Sequence, residues 1–256
     1  MKFKTLVFSC FFVAMSFFVL ADSPNPYVKD KDWKKVEPFL MPDDHPIKQQ
    51  LDDFFSQSRA ILSIKTMEKA GFENVFSQEH SHIVVTKHPE FPGYIFKIYL
   101  DAHRYYLNKP EFFFYILRAQ GAQKIQKLLD EKDWNAYIKV PKKWIYALPI
   151  EPSPPEELIR KNFILVEEDM DIYNTSMTAK MWGSDYITPD LLYKFYFVLE
   201  ELGLSDCSKP QNAPFSKDGR IALIDTQSHD VWPVTYYNLE PFLNSKMKSY
   251  WKKLTR

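Results

Sequence analysis

Cysteine is nearly absent from this 256-residue chain, which has only Cys10 and Cys207. Two residues so placed give no disulfide framework, so the core must hold the fold together. Glycine is scarce too, six residues against 18 prolines, which excludes a collagen-like or glycine-rich repeat. Neither charge is in excess, with 33 basic and 33 acidic side chains. Proteins that grip duplex nucleic acid usually carry a basic surplus, so that partner is not expected. No internal repeat is visible. Apolar residues are plentiful at 45%, with 16% aromatic, enough for one good-sized domain or two small lobes.

The first residues, "MKFKTLVFSCFFVAMSFFVLADS", have a basic start, an apolar run to Leu20 and small residues near Ala21. That layout predicts a cleaved export signal over residues 1–21, and hence a periplasmic or secreted protein. The run is slightly short for a membrane span, which needs about 17–25 residues. An uncleaved N-terminal anchor is the alternative, and this segment carries the only membrane contact expected. Cys10 stands too early for a lipid-attachment box. Cleavage leaves Cys207 alone, read as a small, half-buried residue rather than a nucleophile.

Residues 22–45 are punctuated by proline and predict an extended surface segment. Residues 46–163 read as a helix over 47–71, a hairpin, a long helix and further strands. In the hairpin, "HIVVTK" and "YIFKIYL" flank "HPEFPG". The long helix has Asn108 as its expected N-cap, Pro110 in the first turn and Glu111 completing a capping box. Residues 164–256 open with the strand "NFILVEEDMDI", which itself begins at 162. They continue through a helix capped at Thr188 and stopping at Gly203, a second hairpin and one terminal helix. Strands and helices do not alternate strictly, which predicts an α+β, two-part architecture. His80 and His82 read as solvated edge histidines, "EEDMD" as a solvated loop and "EFFFYIL" as core helix. Asn174-Thr175-Ser176 matches a glycosylation acceptor, which has meaning only in a eukaryotic secretory route.

The second hairpin lies within "DCSKPQNAPFSKDGRIALIDTQ", Asp206–Gln227. Asp218-Gly219 is a two-residue turn signal. Centring the loop there sets Asn212 opposite Asp225, with Cβ atoms about 5 Å apart on one face. An amide oxygen and a carboxylate so placed could chelate a hard cation such as Mg²⁺. Strand-end Asn and Asp that satisfy nearby backbone groups are the plainer alternative.

The order Asp206, Lys209-Pro210, Asn212, then a hairpin ending "IALID" at Asp225, resembles the catalytic loop and metal motif of the protein-kinase-like superfamily. The likeness covers roughly residues 80–230 in consistent order and implies a two-lobed fold with a reduced helical C-lobe. It implies Asp206 as the acceptor of a hydroxyl proton, Lys209 as the offset for charge on the transferring phosphoryl group, and Asn212 with Asp225 as Mg²⁺ ligands. Lys97 would hold the ATP phosphates and Glu111 would orient Lys97. Read without the likeness, Lys97 is a buried strand lysine and Glu111 a capping residue.

The chain departs from that pattern at several points. Six residues rather than five separate Asp206 from Asn212, which calls for a bulge. Leu204-Ser205 replaces His-Arg, Thr226-Gln227 replaces Phe-Gly, and "SQEHSH" stands where a glycine-rich loop would. Only about thirty residues follow Asp225. The expectations are therefore an exported ATP- and Mg²⁺-dependent phosphotransferase with an unknown protein or small-molecule acceptor, an inactive kinase-like interaction module, or an exported binding protein without nucleotide. Bacterial periplasm lacks ATP, so an active enzyme requires delivery to a compartment that contains it.

Overall fold

Side chains alternate across a strand, so one buried charge in an apolar run is placed by parity. The computed structural model describes residues 23–77 and 82–256. The expected leader and His80 lie outside them. Seven helices are described: α1 (Asp30–Val36), α2 (Lys48–Gln57), α3 (Ile64–Lys69), α4 (Glu111–Lys132), α5 (Thr175–Trp182), α6 (Pro189–Glu201) and α7 (Ser245–Leu254). The strands are β1 (Glu73–Ser77), β2 (Ile83–Lys87), β3 (Tyr94–Tyr99), β4 (Ile138–Lys139), β5 (Lys143–Ala147), β6 (Phe163–Glu168) and β7 (Ile221–Ala222). Five form an antiparallel sheet in the order β1-β2-β3-β6-β5, while β4 and β7 make a short parallel pair. The fold is α+β, as expected.

One face of the sheet, carrying Val84, Phe96, Ile98, Tyr146 and Ile164, packs on Leu51, Phe55 and Met67 of α2 and α3. The other face, carrying Ile83, Tyr99, Ile145 and Leu165, packs on Val36 of α1 and on Phe114 and Tyr115 of α4. The C-terminal half of α4 continues into a second core with α5, α6 and α7, centred on Trp182, Phe195 and Trp251. The boundary expected between residues 163 and 164 thus falls inside β6, whose residues through Glu168 belong to the sheet.

Local chemistry explains the other differences. The helix expected over 47–71 breaks at Ser58, which is extended, and restarts as α3 under a capping box of Ser63 and Thr66. Part of the segment expected to be extended forms α1, with Asp30 and Asp32 in its first turn and Lys34 and Lys35 in its last, charges that suit the helix dipole. Asn174 caps α5, accepting from the Met177 N–H at 2.9 Å. Asn108 is left-handed (φ 55°) and cannot cap α4, which begins instead after Pro110.

The second hairpin also differs. The Gly219 N–H donates to the Ser216 carbonyl, and Ser216 pairs with Arg220. The loop is therefore three residues long, closed by Gly219 in the left-handed region (φ 89°). Asp218 does not take the positive φ that a two-residue loop needs. Its carboxylate is held by the Arg220 guanidinium at 2.7 Å and the Lys139 ammonium at 2.9 Å. The register shifts by one, and Asn212 pairs with Ile224 rather than Asp225, the Ile224 N–H reaching the Asn212 carbonyl at 3.1 Å.

Candidate functional site

A cavity of about 370 Å³ lies between the β2-β3-β6 face of the sheet and the end of the second hairpin. Lys97 and Glu167 line it from the sheet, Arg118 from α4, and Asn212, Ile224 and Asp225 from the hairpin. Parity explains the sheet's share. Lys97 on β3 and Glu167 on β6 face inward with Ile95, while Lys143 on β5 is the direct cross-strand partner of Glu167.

The Lys97 ammonium is 3.0 Å from the Glu167 carboxylate and donates to the Ile224 carbonyl at 3.1 Å. Lys143 pairs with the other Glu167 oxygen and donates to the same carbonyl at 3.0 Å. Burial pushes the Lys143 ammonium down to about 8, although Glu167 opposes the shift. Burial works against ionisation of Glu167, but Lys143 and Lys97 outweigh it and hold the carboxyl below its ordinary value.

Asp225 is more open, its side chain 38% exposed against 4% for Glu167, with its Oδ1 turned inward. Burial disfavours its charge, yet Arg118, Lys97 and Lys143 together keep it below the usual carboxylate value. Its Oδ1 lies 3.7 Å from Arg118 Nε and accepts no hydrogen bond from the described residues. Beneath it the buried Cys207 thiol donates to the Asp225 backbone carbonyl at 2.9 Å. Burial pushes that thiol well above its ordinary pKa, so Cys207 is inert packing, more buried than expected. Thr226 hydroxyl donates to the Arg118 carbonyl at 2.6 Å and ties the segment to α4.

The other expected residues cluster beside Asn212. The Asn212 amide donates to the Asp206 carbonyl at 3.0 Å and to its carboxylate at 3.3 Å, and Lys209 pairs with the same carboxylate. The residue in excess of the usual spacing is absorbed by a turn, in which the Asn212 and Ala213 N–H groups both donate to the Lys209 carbonyl.

Glu111 is not where the resemblance implied. The carboxylate on Lys97 is Glu167. Glu111, buried at the start of α4, accepts from the Asn162 N–H at 2.7 Å. Its position at the N-terminus of α4, facing the 161–163 backbone, places it at the Phe163 end of β6, away from Glu167 and outside the cavity lining. Burial lifts its pKa to about 6 even so. The folded chain therefore keeps this proton to higher pH than the unfolded chain, and its contribution to stability is full below about 4.5 and lost as pH rises through about 6. The expected difference between wild type and Glu111→Gln is a swing of about 2 kcal/mol across that window. Urea denaturation at stepped pH measures it, and parallel curves for the two proteins would contradict the assignment.

Arg118 and Lys143 escaped the sequence reading, and Glu167, expected in a solvated loop, is instead a buried residue of β6. Each is a charge within an apolar run, in "FYILRAQG", "KKWIYA" and "FILVEE"; strand parity turns Lys143 and Glu167 inward, while Arg118 depends on which face of α4 is buried. Among the described residues no helix is long and apolar enough to cross a membrane. Neither the comparison with protein-family models nor that with curated proteins returns a match.

Proposed function

We propose that the chain is an exported, kinase-like protein, two-lobed with a reduced helical C-lobe, whose cavity takes ATP. The observation that carries this reading is the convergence of Lys97, Asn212 and Asp225, far apart in sequence, on one cavity of about 370 Å³. That volume suits a small ligand, and Lys97 supplies an ammonium at its wall. The order of elements supports it as well: a hairpin carrying Lys97, a long helix, a strand running into the cavity wall, then a helix before Asp206. ATP, once bound, supplies a transferable phosphoryl group. Lys97 would meet its phosphates, and the segment from Glu168 to Ile172 forms the facing wall.

Magnesium fits this wall poorly. Asn212 and Asp225 offer oxygens, but the Asp225 carboxylate is already faced by Arg118, Lys97 and Lys143. Nucleotide binding without transfer is therefore the reading supported best. Phosphoryl transfer with Mg²⁺ is the second, favoured by the contact of Asp206 with Lys209 and Asn212 at the cavity's edge. There Asp206 could accept a hydroxyl proton.

ATP at about 100 times its Kd should stabilise the chain by about 2.7 kcal/mol, a rise in Tm of about 5–10 °C. Lys97→Met should abolish that rise while folding normally, because Lys143 still pairs with Glu167. No shift with any nucleotide sinks the reading. Phosphate release by the wild type that disappears in Asp206→Asn would establish the second reading instead.

A further inference from the structure

We infer that the cavity holds the phosphate groups of its ligand without a divalent cation, with the Arg118 guanidinium supplying the charge a metal would bring. The inference rests on the nucleotide-binding reading and specifies its chemistry. Arg118 is 5% exposed, yet its Nε and Nη1 groups are buried without a hydrogen-bond partner among the described residues. Its nearest carboxylate, Asp225, is 3.7 Å away, beyond hydrogen-bond range, and the Tyr99 phenol lies beside it. A guanidinium has five N–H donors in a fixed fork, and leaving them buried and unmade is costly. The group that satisfies such donors is an oxyanion, and because Nε and Nη1 lie on different edges of the guanidinium, each gives its own N–H···O bond.

Charge balance points the same way. At the inner wall Arg118, Lys97 and Lys143 meet Glu167 and Asp225, one net positive charge, while Glu168, Asp169 and Asp171 line the facing wall with Lys87 paired to Asp169. Glu167 is shared by two ammonium groups, and Asp225 is the one carboxylate left to Arg118. A divalent cation placed on Asp225 would sit among three cations. A phosphate arriving there would meet an unpartnered donor set. Arg118 is also held from behind, since its carbonyl accepts from the Thr226 hydroxyl, which fixes the helix turn that aims it.

Isothermal titration of the signal-free chain with ATP tests this, in excess EDTA and in excess Mg²⁺. The expected result is binding in EDTA as tight as in Mg²⁺ or tighter, with Asp225→Ala no weaker than wild type. Arg118→Met should lose about 10- to 100-fold in affinity, the worth of hydrogen bonds to a charged group. Arg118→Lys, which keeps the charge, controls for folding and should recover part of the loss. Binding that requires Mg²⁺ and vanishes in Asp225→Ala overturns the inference while the nucleotide reading stands. Failure of every nucleotide overturns that reading, and inorganic pyrophosphate in EDTA then decides the anion site. Arg118-dependent pyrophosphate binding keeps the site, and its absence overturns it.

Discussion

Gly121→Ala should destabilise the chain by about 3 kcal/mol, although alanine is the better helix former by about 1 kcal/mol. Gly121 lies in the middle of α4, where a Cβ would stand 2.0 Å from the Thr226 carbonyl oxygen and 3.0 Å from the His229 ring. The first of these is backbone and cannot rotate away, so helix and segment must separate. Arg118 lies one turn earlier on α4, and Asp225 immediately precedes Thr226. The same separation therefore pulls apart the two charged groups at the cavity wall. The expected thermal shift is a loss of about 6–12 °C, with ligand affinity falling too. Gln123→Ala, exposed on the same helix, should change stability by less than about 0.5 kcal/mol. A Gly121→Ala protein as stable as wild type would mean that α4 does not approach Thr226 this closely.

Asp101→Ala is expected to cost about 3–5 kcal/mol, because it strands a buried arginine. Asp101, just past the end of β3, accepts from Arg59 Nε at 2.8 Å and Nη2 at 3.0 Å, and from the Lys161 N–H at 2.7 Å. Arg59 also donates to the Lys161 carbonyl. The segments before α3 and before β6 are thus joined through one carboxylate that is 1% exposed. The double replacement Arg59→Met, Asp101→Leu should recover much of the loss, since it removes the cost of desolvating both charges along with their attraction. Chemical denaturation of the single and double variants gives the coupling, and a double variant no better than the single would show that Asp101 acts chiefly through Lys161.

The elements readable from sequence were those whose signals are local. The β2-β3 hairpin, α6 with its Thr188 cap, and β6 followed from periodicity and punctuation. Asn108 misled because its suitability as a cap says nothing of its φ, which the preceding turn sets. The Asp218-Gly219 turn misled by one residue, since Lys139, far away in sequence, holds the Asp218 side chain and helps fix the loop type. At the site, Lys97 was legible as a charge in an apolar strand. Its partner was not, because Glu167 reaches it across a strand pairing that no local pattern specifies. Arg118 was hidden for the same reason, its role depending on which face of α4 meets the hairpin.

The shared carbonyl of Ile224 has a mechanical consequence. Two lysines from different strands of the sheet reach the hairpin through that single oxygen. Swinging the hairpin outward would break both bonds at once and leave two buried ammonium groups short of an acceptor. The gap between sheet and hairpin is thus a fixed gauge rather than a jaw. Under the proposed nucleotide reading, the width of that gap sets the thickness of ligand the cavity takes.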